Sequence, residues 1–164
     1  MGCGKSSVGG RLSELLCCPF VDLDAEIERQ TGRRIPEIFA SDGETAFRKM
    51  ELDTLSNLIG SISSEENIIL SLGGGTIMTP ECAELIQKNT ECIYLRTSID
   101  TLVERLANET SDRPLLDSNS LKSRIEELMK QRSVTYEAIA NTIVDTDNHT
   151  IEALARTIAK TRSE

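Results

Sequence analysis

Met1-Gly2-Cys3-Gly4-Lys5-Ser6-Ser7 opens the chain and runs into a stretch that reads as a helix through Leu16. Gly4-Lys5-Ser6 matches the second half of the phosphate-binding loop G-x-x-x-x-G-K-[ST]. In that loop glycine lets backbone N–H groups close around a phosphate, lysine reaches the outer phosphates, and the serine hydroxyl ligates Mg²⁺. The following helix adds the positive end of its dipole. The full motif places a first glycine two positions ahead of Met1 and a buried strand before that; neither stands in this sequence. A bare Gly-Lys-Ser is also compatible with a flexible, Gly-rich start, so its meaning depends on the rest of the chain.

Beyond Leu16 the chain alternates strands with helices. Phe20-Val21 with Asp22, Asn67 to Leu72, Cys92 to Leu95, and Thr142 to Val144 read as short buried strands. Between them lie helical stripes: Leu52, Leu55, Ile59 and Ile62; then Leu121, Ile125, Leu128 and Met129; then Ile151, Leu154, Ala155 and Ile158. Such alternation implies a three-layer α/β/α fold around a parallel sheet, with ligands at the carboxyl ends of the strands.

Size and charge narrow the field. The 164 residues, 38% hydrophobic, suffice for one domain spanning 1–164. No apolar run approaches the ~20 residues that cross a bilayer. Lys plus Arg number 18 against 27 for Asp plus Glu, a net charge of -9, which argues against nucleic acid or a membrane surface as partner. Five cysteines without C-x-x-C spacing, and one histidine, make no zinc set; reduced thiols and a cytoplasmic location are expected.

Several residues stand out against this background. Asp22 and Asp24 fall at the carboxyl end of a strand, where alternation points both to one side. One could hold a Mg²⁺-bound water and the other accept a hydroxyl proton; alternatively Asp24 only N-caps a helix starting at Ala25. Arg48 and Arg132 lie on the apolar stripes of their helices, which is unfavourable unless an anion or a protein carboxylate pairs with them. Arg105 falls off the Ile99, Leu102, Leu106 stripe and reads as solvated. Gly73-Gly74-Gly75 follows the best strand and lets a ligand approach the backbone closely. The polar segment around 108–119, with Arg113-Pro114-Leu115, reads as a mobile lid or an exposed loop.

Taken together, Gly4-Lys5-Ser6, Asp22-Leu23-Asp24, Phe47-Arg48, Gly73-Gly74-Gly75, Arg113-Pro114-Leu115 and Arg132…Tyr136-Glu137 resemble the shikimate kinase family in order and spacing, over nearly the whole chain. The resemblance implies a P-loop kinase fold with a five-stranded parallel sheet and a lid. In that sheet the first strand is central, so its absence should leave a gap with unpaired backbone groups. It implies transfer of the γ-phosphate of ATP to the 3-hydroxyl of shikimate, on the route to the aromatic amino acids, with Mg²⁺ as cofactor and ATP and shikimate as ligands.

By position, the resemblance assigns ATP to Gly2, Cys3, Gly4, Lys5, Ser6, Ser7 and Arg113, and the metal to Ser6 and Asp22. Lys5, Asp24 and Arg113 would be catalytic, and Asp24, Arg48, Gly73, Gly74, Gly75 and Arg132 would bind shikimate. A monomer is expected. Another small P-loop kinase, such as a gluconate kinase, or an inactive nucleotide-binding remnant are the alternatives.

Overall fold

The structure, a computed structural model, describes residues 2–63, 66–109 and 118–161. Four short strands, β1 (Phe20–Asp22), β2 (Ile69–Ser71), β3 (Ile93–Arg96) and β4 (Thr142–Asp145), alternate with seven helices among the described residues. These are α1 (Lys5–Leu16), α2 (Leu23–Thr31), α3 (Ile35–Ser61), α4 (Pro80–Asn89), α5 (Ile99–Glu109), α6 (Ser118–Ile139) and α7 (Ile151–Thr161). Both strand pairs are parallel, Val21 opposite Leu70 and Tyr94 opposite Ile143.

The layers arise from pleat alternation. Val8 and Leu12 of α1 and Leu154, Ala155 and Ile158 of α7 pack on one face, against Ile69, Ile93, Leu95 and Val144. On the other face, Leu23, Ile27, Phe47, Leu55 and Ile86 form the larger core, with Leu70, Leu72 and Cys92 against it. Ile151, placed on the α7 stripe by periodicity, is 48% exposed; the packed stripe begins at Leu154. Gly9 lets α1 sit close on β1, since a Cβ there would lie 2.6 Å from the Phe20 ring.

The gap expected at the centre of the sheet is present. Instead of one sheet there are two two-stranded ones, β1–β2 and β3–β4, and no strand pairing joins them among the described residues. Between β2 and β3 lies an apolar slot of about 410 Å³, floored by Leu12 and Ile158 and roofed by Ile86 and Met129. Hydrogen-bond parity shows what faces it. Ile69 N–H donates to the Pro19 carbonyl on the β1 side, while the Cys92 and Arg96 carbonyls accept from Thr142 and Thr146 on the β4 side. In a parallel ladder alternate residues bond to opposite neighbours, so the backbone polar groups of Leu70, Ile93 and Leu95 point into the slot.

Two local expectations need correction. β1 ends at Asp22 and α2 begins at once with Leu23, so Asp22 and Asp24 do not alternate along a strand. It is Asp22, not Asp24, that caps the helix, its Oδ1 accepting from the N–H groups of Asp24 (3.1 Å) and Ala25 (3.3 Å). Such a cap is worth ~1 kcal/mol. Gly32, at φ 66°, closes α2 in a left-handed conformation that favours glycine.

Candidate active site

The phosphate loop is built by conformation before chemistry. Gly4 occupies the N-cap of α1 at φ 84°, and no side chain caps the helix. The first-turn N–H groups therefore remain available to an anion at the positive end of a 12-residue helix. Lys5 is half-buried; its Nζ lies 3.8 Å from the Cys3 sulfur, and it has no ion pair with a carboxylate among the described residues. Ser6 Oγ donates to Asp22 Oδ2 at 2.8 Å, joining the two expected metal ligands. Ser7 is exposed on the first turn.

Arg105 is not merely solvated. It donates to the Gly2 carbonyl at 3.2 Å, and a Cβ on Gly2 would lie 3.2 Å from Leu106 Cγ. Periodicity gives the helix face correctly; the contact across it comes from tertiary structure.

The Gly73-Gly74-Gly75 loop is where the other candidates meet. A Cβ on Gly73 would stand 2.8 Å from Asp24 Oδ1, 3.0 Å from Thr76 Oγ1 and 3.1 Å from Glu51 Oε1. A Cβ on Gly75 would stand 2.7 and 2.8 Å from the Arg48 terminal nitrogens. These glycines serve close approach. The Gly74 carbonyl accepts from Arg132 (3.1 Å) and from the Tyr136 hydroxyl (2.5 Å). Asp24, Arg48 and Arg132 therefore gather around the Gly73–Gly75 loop, and the charge of Lys5 in the phosphate loop acts on Asp24.

The electrostatics separate these residues. The Asp24 carboxyl is half-buried and accepts no hydrogen bond among the described residues. Burial first, then the charges of Asp22 and Glu51, hold its pKa above the usual carboxylate value, with Lys5 opposing. A carboxyl so placed is a base without a structural partner. Arg48, in contrast, bonds Glu51 Oε2 at 2.5 Å and Glu44 Oε1 at 3.1 Å. Half-buried Arg132 has no carboxylate partner among the described residues, so its charge is left for a ligand.

Glu51 is a site residue that sequence reasoning misses. It is 1% exposed and accepts from Arg48 and, at 2.6 Å, from the Thr76 hydroxyl. Four residues before Leu55, it lies on the apolar stripe, the same signal that marks Arg48. Removing one partner of a buried ion pair costs about 3 kcal/mol. Glu51→Ala is thus expected to lower the melting temperature by ~6–12 °C, with Glu51→Gln intermediate; a thermal melt checks this. Arg113 lies outside the described residues, as does most of the 108–119 segment; Asn108 and Glu109 close α5.

A family model described as shikimate kinase matches residues 1–162. This chain belongs to the shikimate kinase family. It is 39% identical over 160 residues to a shikimate kinase from Thioalkalivibrio sulfidiphilus, covering 98% of this chain and 82% of that one. The fold is similar to that of a shikimate kinase from Acinetobacter baumannii in complex with shikimate, with TM-score 0.86 and 33% identity, covering 99% and 88% of the two chains. A shikimate kinase from Bacteroides thetaiotaomicron superposes with TM-score 0.88 at 26% identity, covering 100% and 94%. The P-loop kinase architecture expected from the sequence is therefore that of solved shikimate kinases. Among the described residues, no helix is long and apolar enough to cross a membrane.

Proposed function

We propose that this chain is a shikimate kinase that transfers the γ-phosphate of ATP to the 3-hydroxyl of shikimate, giving ADP and shikimate 3-phosphate. The observation that carries this reading is the convergence on Gly73–Gly75 of an unpartnered carboxylate, Asp24, with two arginines, Arg48 and Arg132. A hydroxylated carboxylic acid suits that set, because one end needs a base and the other a cation. A monomeric, cytoplasmic enzyme is part of the reading.

Roles derive from the chemistry of each group. The uncapped start of α1, from Gly2 to Ser7, binds the ATP phosphates, and Lys5 stabilises charge on the transferred group. Asp24 orients the acceptor hydroxyl and takes its proton at the carboxylate. Arg132 holds the substrate carboxylate, with Arg48 held beside it by Glu51. The family resemblance would assign Arg113 to the transferred phosphoryl group. Ser6, Asp22 and the buried hydroxyl of Ser71 next to them form an all-oxygen donor set, which fits Mg²⁺. What Mg²⁺ supplies when bound is neutralisation of charge between the β- and γ-phosphates.

The test is ADP release with Mg·ATP and shikimate, gluconate or AMP as acceptor. Turnover with shikimate alone is expected; turnover with gluconate instead would favour the sugar-acid kinase reading. Arg132→Ala should raise KM for shikimate ~10–100-fold, the worth of a charge-assisted hydrogen bond, with kcat less affected. An unchanged KM would remove Arg132 from the carboxylate site.

A further inference from the structure

We infer that Tyr136 is a positioning residue of the acceptor site: its hydroxyl fixes the Gly74–Gly75 peptide so that the N–H side of the loop, not a carbonyl, is turned to the bound acid. The inference rests on the kinase reading above and adds a residue to it.

Tyr136 stands one turn after Arg132 on α6, so the two side chains leave the same face of the helix. Both end on one atom, the Gly74 carbonyl oxygen, Arg132 at 3.1 Å and Tyr136 at 2.5 Å. A carbonyl has two lone pairs, and both are taken. The Tyr136 ring is itself held against Tyr94 of β3, with centroids 5.2 Å apart and planes inclined at 49°. The hydroxyl is thus delivered from a fixed platform to a loop that has no side chains of its own.

That loop needs fixing. Glycine peptides rotate with little steric resistance, and Gly73, Gly74 and Gly75 follow one another. The Thr76 N–H closes back on the Gly73 carbonyl, but the N–H groups of Gly74 and Gly75 have no hydrogen-bond partner among the described residues. The peptide between them is trans, so the Gly75 N–H points opposite to the Gly74 carbonyl, away from α6. Gly75 also lies against Arg48, where a Cβ would stand 2.7 Å from a terminal nitrogen. An N–H beside a guanidinium suits a carboxylate. Rotation of the Gly74–Gly75 peptide would present an oxygen to that anion instead, and repel it.

Arg132 cannot do this work alone. Its charge is also the one left for the ligand, so its hold on the Gly74 carbonyl loosens as it turns to the acid. The Tyr136 hydroxyl makes no other hydrogen bond among the described residues and keeps the carbonyl occupied in both situations. If the hydroxyl only braced α6 against the loop, its loss would weaken the fold and leave the acid's affinity where it was.

The experiment compares wild type with Tyr136→Phe, which keeps the ring and its packing on Tyr94. Steady-state rates are measured with shikimate and Mg·ATP each varied in turn, alongside calorimetric titration of shikimate and thermal melts. KM for shikimate should rise ~3–10-fold, the worth of one hydrogen bond. The calorimetric affinity should fall by the same factor, while kcat and KM for ATP stay within about twofold of wild type. An unchanged KM and affinity for shikimate overturn the inference alone, whatever the melting temperature does. So does an equal rise in KM for shikimate and for ATP, which would make the hydroxyl a brace for the fold as a whole. Wild type that neither binds nor phosphorylates shikimate overturns the kinase reading and this inference with it.

Discussion

Asp24→Asn is expected to lose ~10²–10⁴ of the turnover with shikimate, the usual contribution of a positioned base, while melting at a higher temperature than wild type at pH 8. Both effects have one cause. The Asp24 carboxyl is half-buried, accepts no hydrogen bond among the described residues, and sits in the field of Asp22 and Glu51, so its pKa is raised. A group whose folded pKa lies above its unfolded value binds its proton more tightly in the folded state. The stability it confers is complete below the unfolded pKa, near 4, and is lost as pH rises through the folded one. At pH 8 the ionised carboxylate therefore destabilises the unliganded protein, and asparagine relieves it. Below about pH 4 both proteins carry a neutral group, and the difference in melting temperature should close. The measurement is a pair of thermal melts across pH with activity assayed in parallel. Retained activity in Asp24→Asn would remove Asp24 as the base; a melting difference independent of pH would remove the electrostatic account.

The second large effect concerns the slot between β2 and β3. A five-residue Val/Ile strand followed by Gly and one linking residue, joined directly ahead of Met1, should raise the melting temperature by about 10 °C. A strand there would be buried on both faces, which suits a continuous apolar run. It could pair on both edges with Leu70, Ile93 and Leu95, whose backbone groups face the slot. Each buried aliphatic side chain contributes ~1.5–3 kcal/mol, against ~1–2 kcal/mol per residue for ordering the backbone. The surplus over five residues is ~3–5 kcal/mol, and ~2–4 °C accompanies each kcal/mol in a chain of this size. The added glycine would also complete the phosphate loop, so ADP affinity should rise in the same variant. A control extension of five Ser/Gly residues should do neither. If it stabilises equally, the slot does not recognise a strand.

Much of this is legible in the sequence because parallel α/β folds leave strong traces. All four strands lie within two residues of the apolar runs that mark them, since buried strands in such sheets are short apolar runs between helices. The central gap is legible because a phosphate loop needs a strand ahead of it. Arg132 stands out as a charge on an apolar stripe, and the structure sets it on the Gly74 carbonyl. Glu51 carries the same signal and escapes notice, because an acid three residues from an arginine is easily taken as its surface partner. Pleat alternation misplaces the aspartates: the chain turns helical at Leu23, and the helix, not the strand, aims Asp24. The Arg105 bond to Gly2 and the isolation of the Ser71 hydroxyl depend on neighbours remote in the chain, which periodicity cannot supply.

The Gly74 carbonyl has a mechanical consequence. Gly74 comes after β2, whereas Arg132 and Tyr136 lie on α6, which leads into β4; the carbonyl they share thus spans the two halves of the divided sheet. No strand hydrogen bonds cross between those halves among the described residues, so the helix packing of α1 on α7 and this shared carbonyl help to join them. A small acid gripped between Asp24 and Arg132 would act as a further rivet across the divide, and amide exchange in β2 and β4 should slow together when it binds.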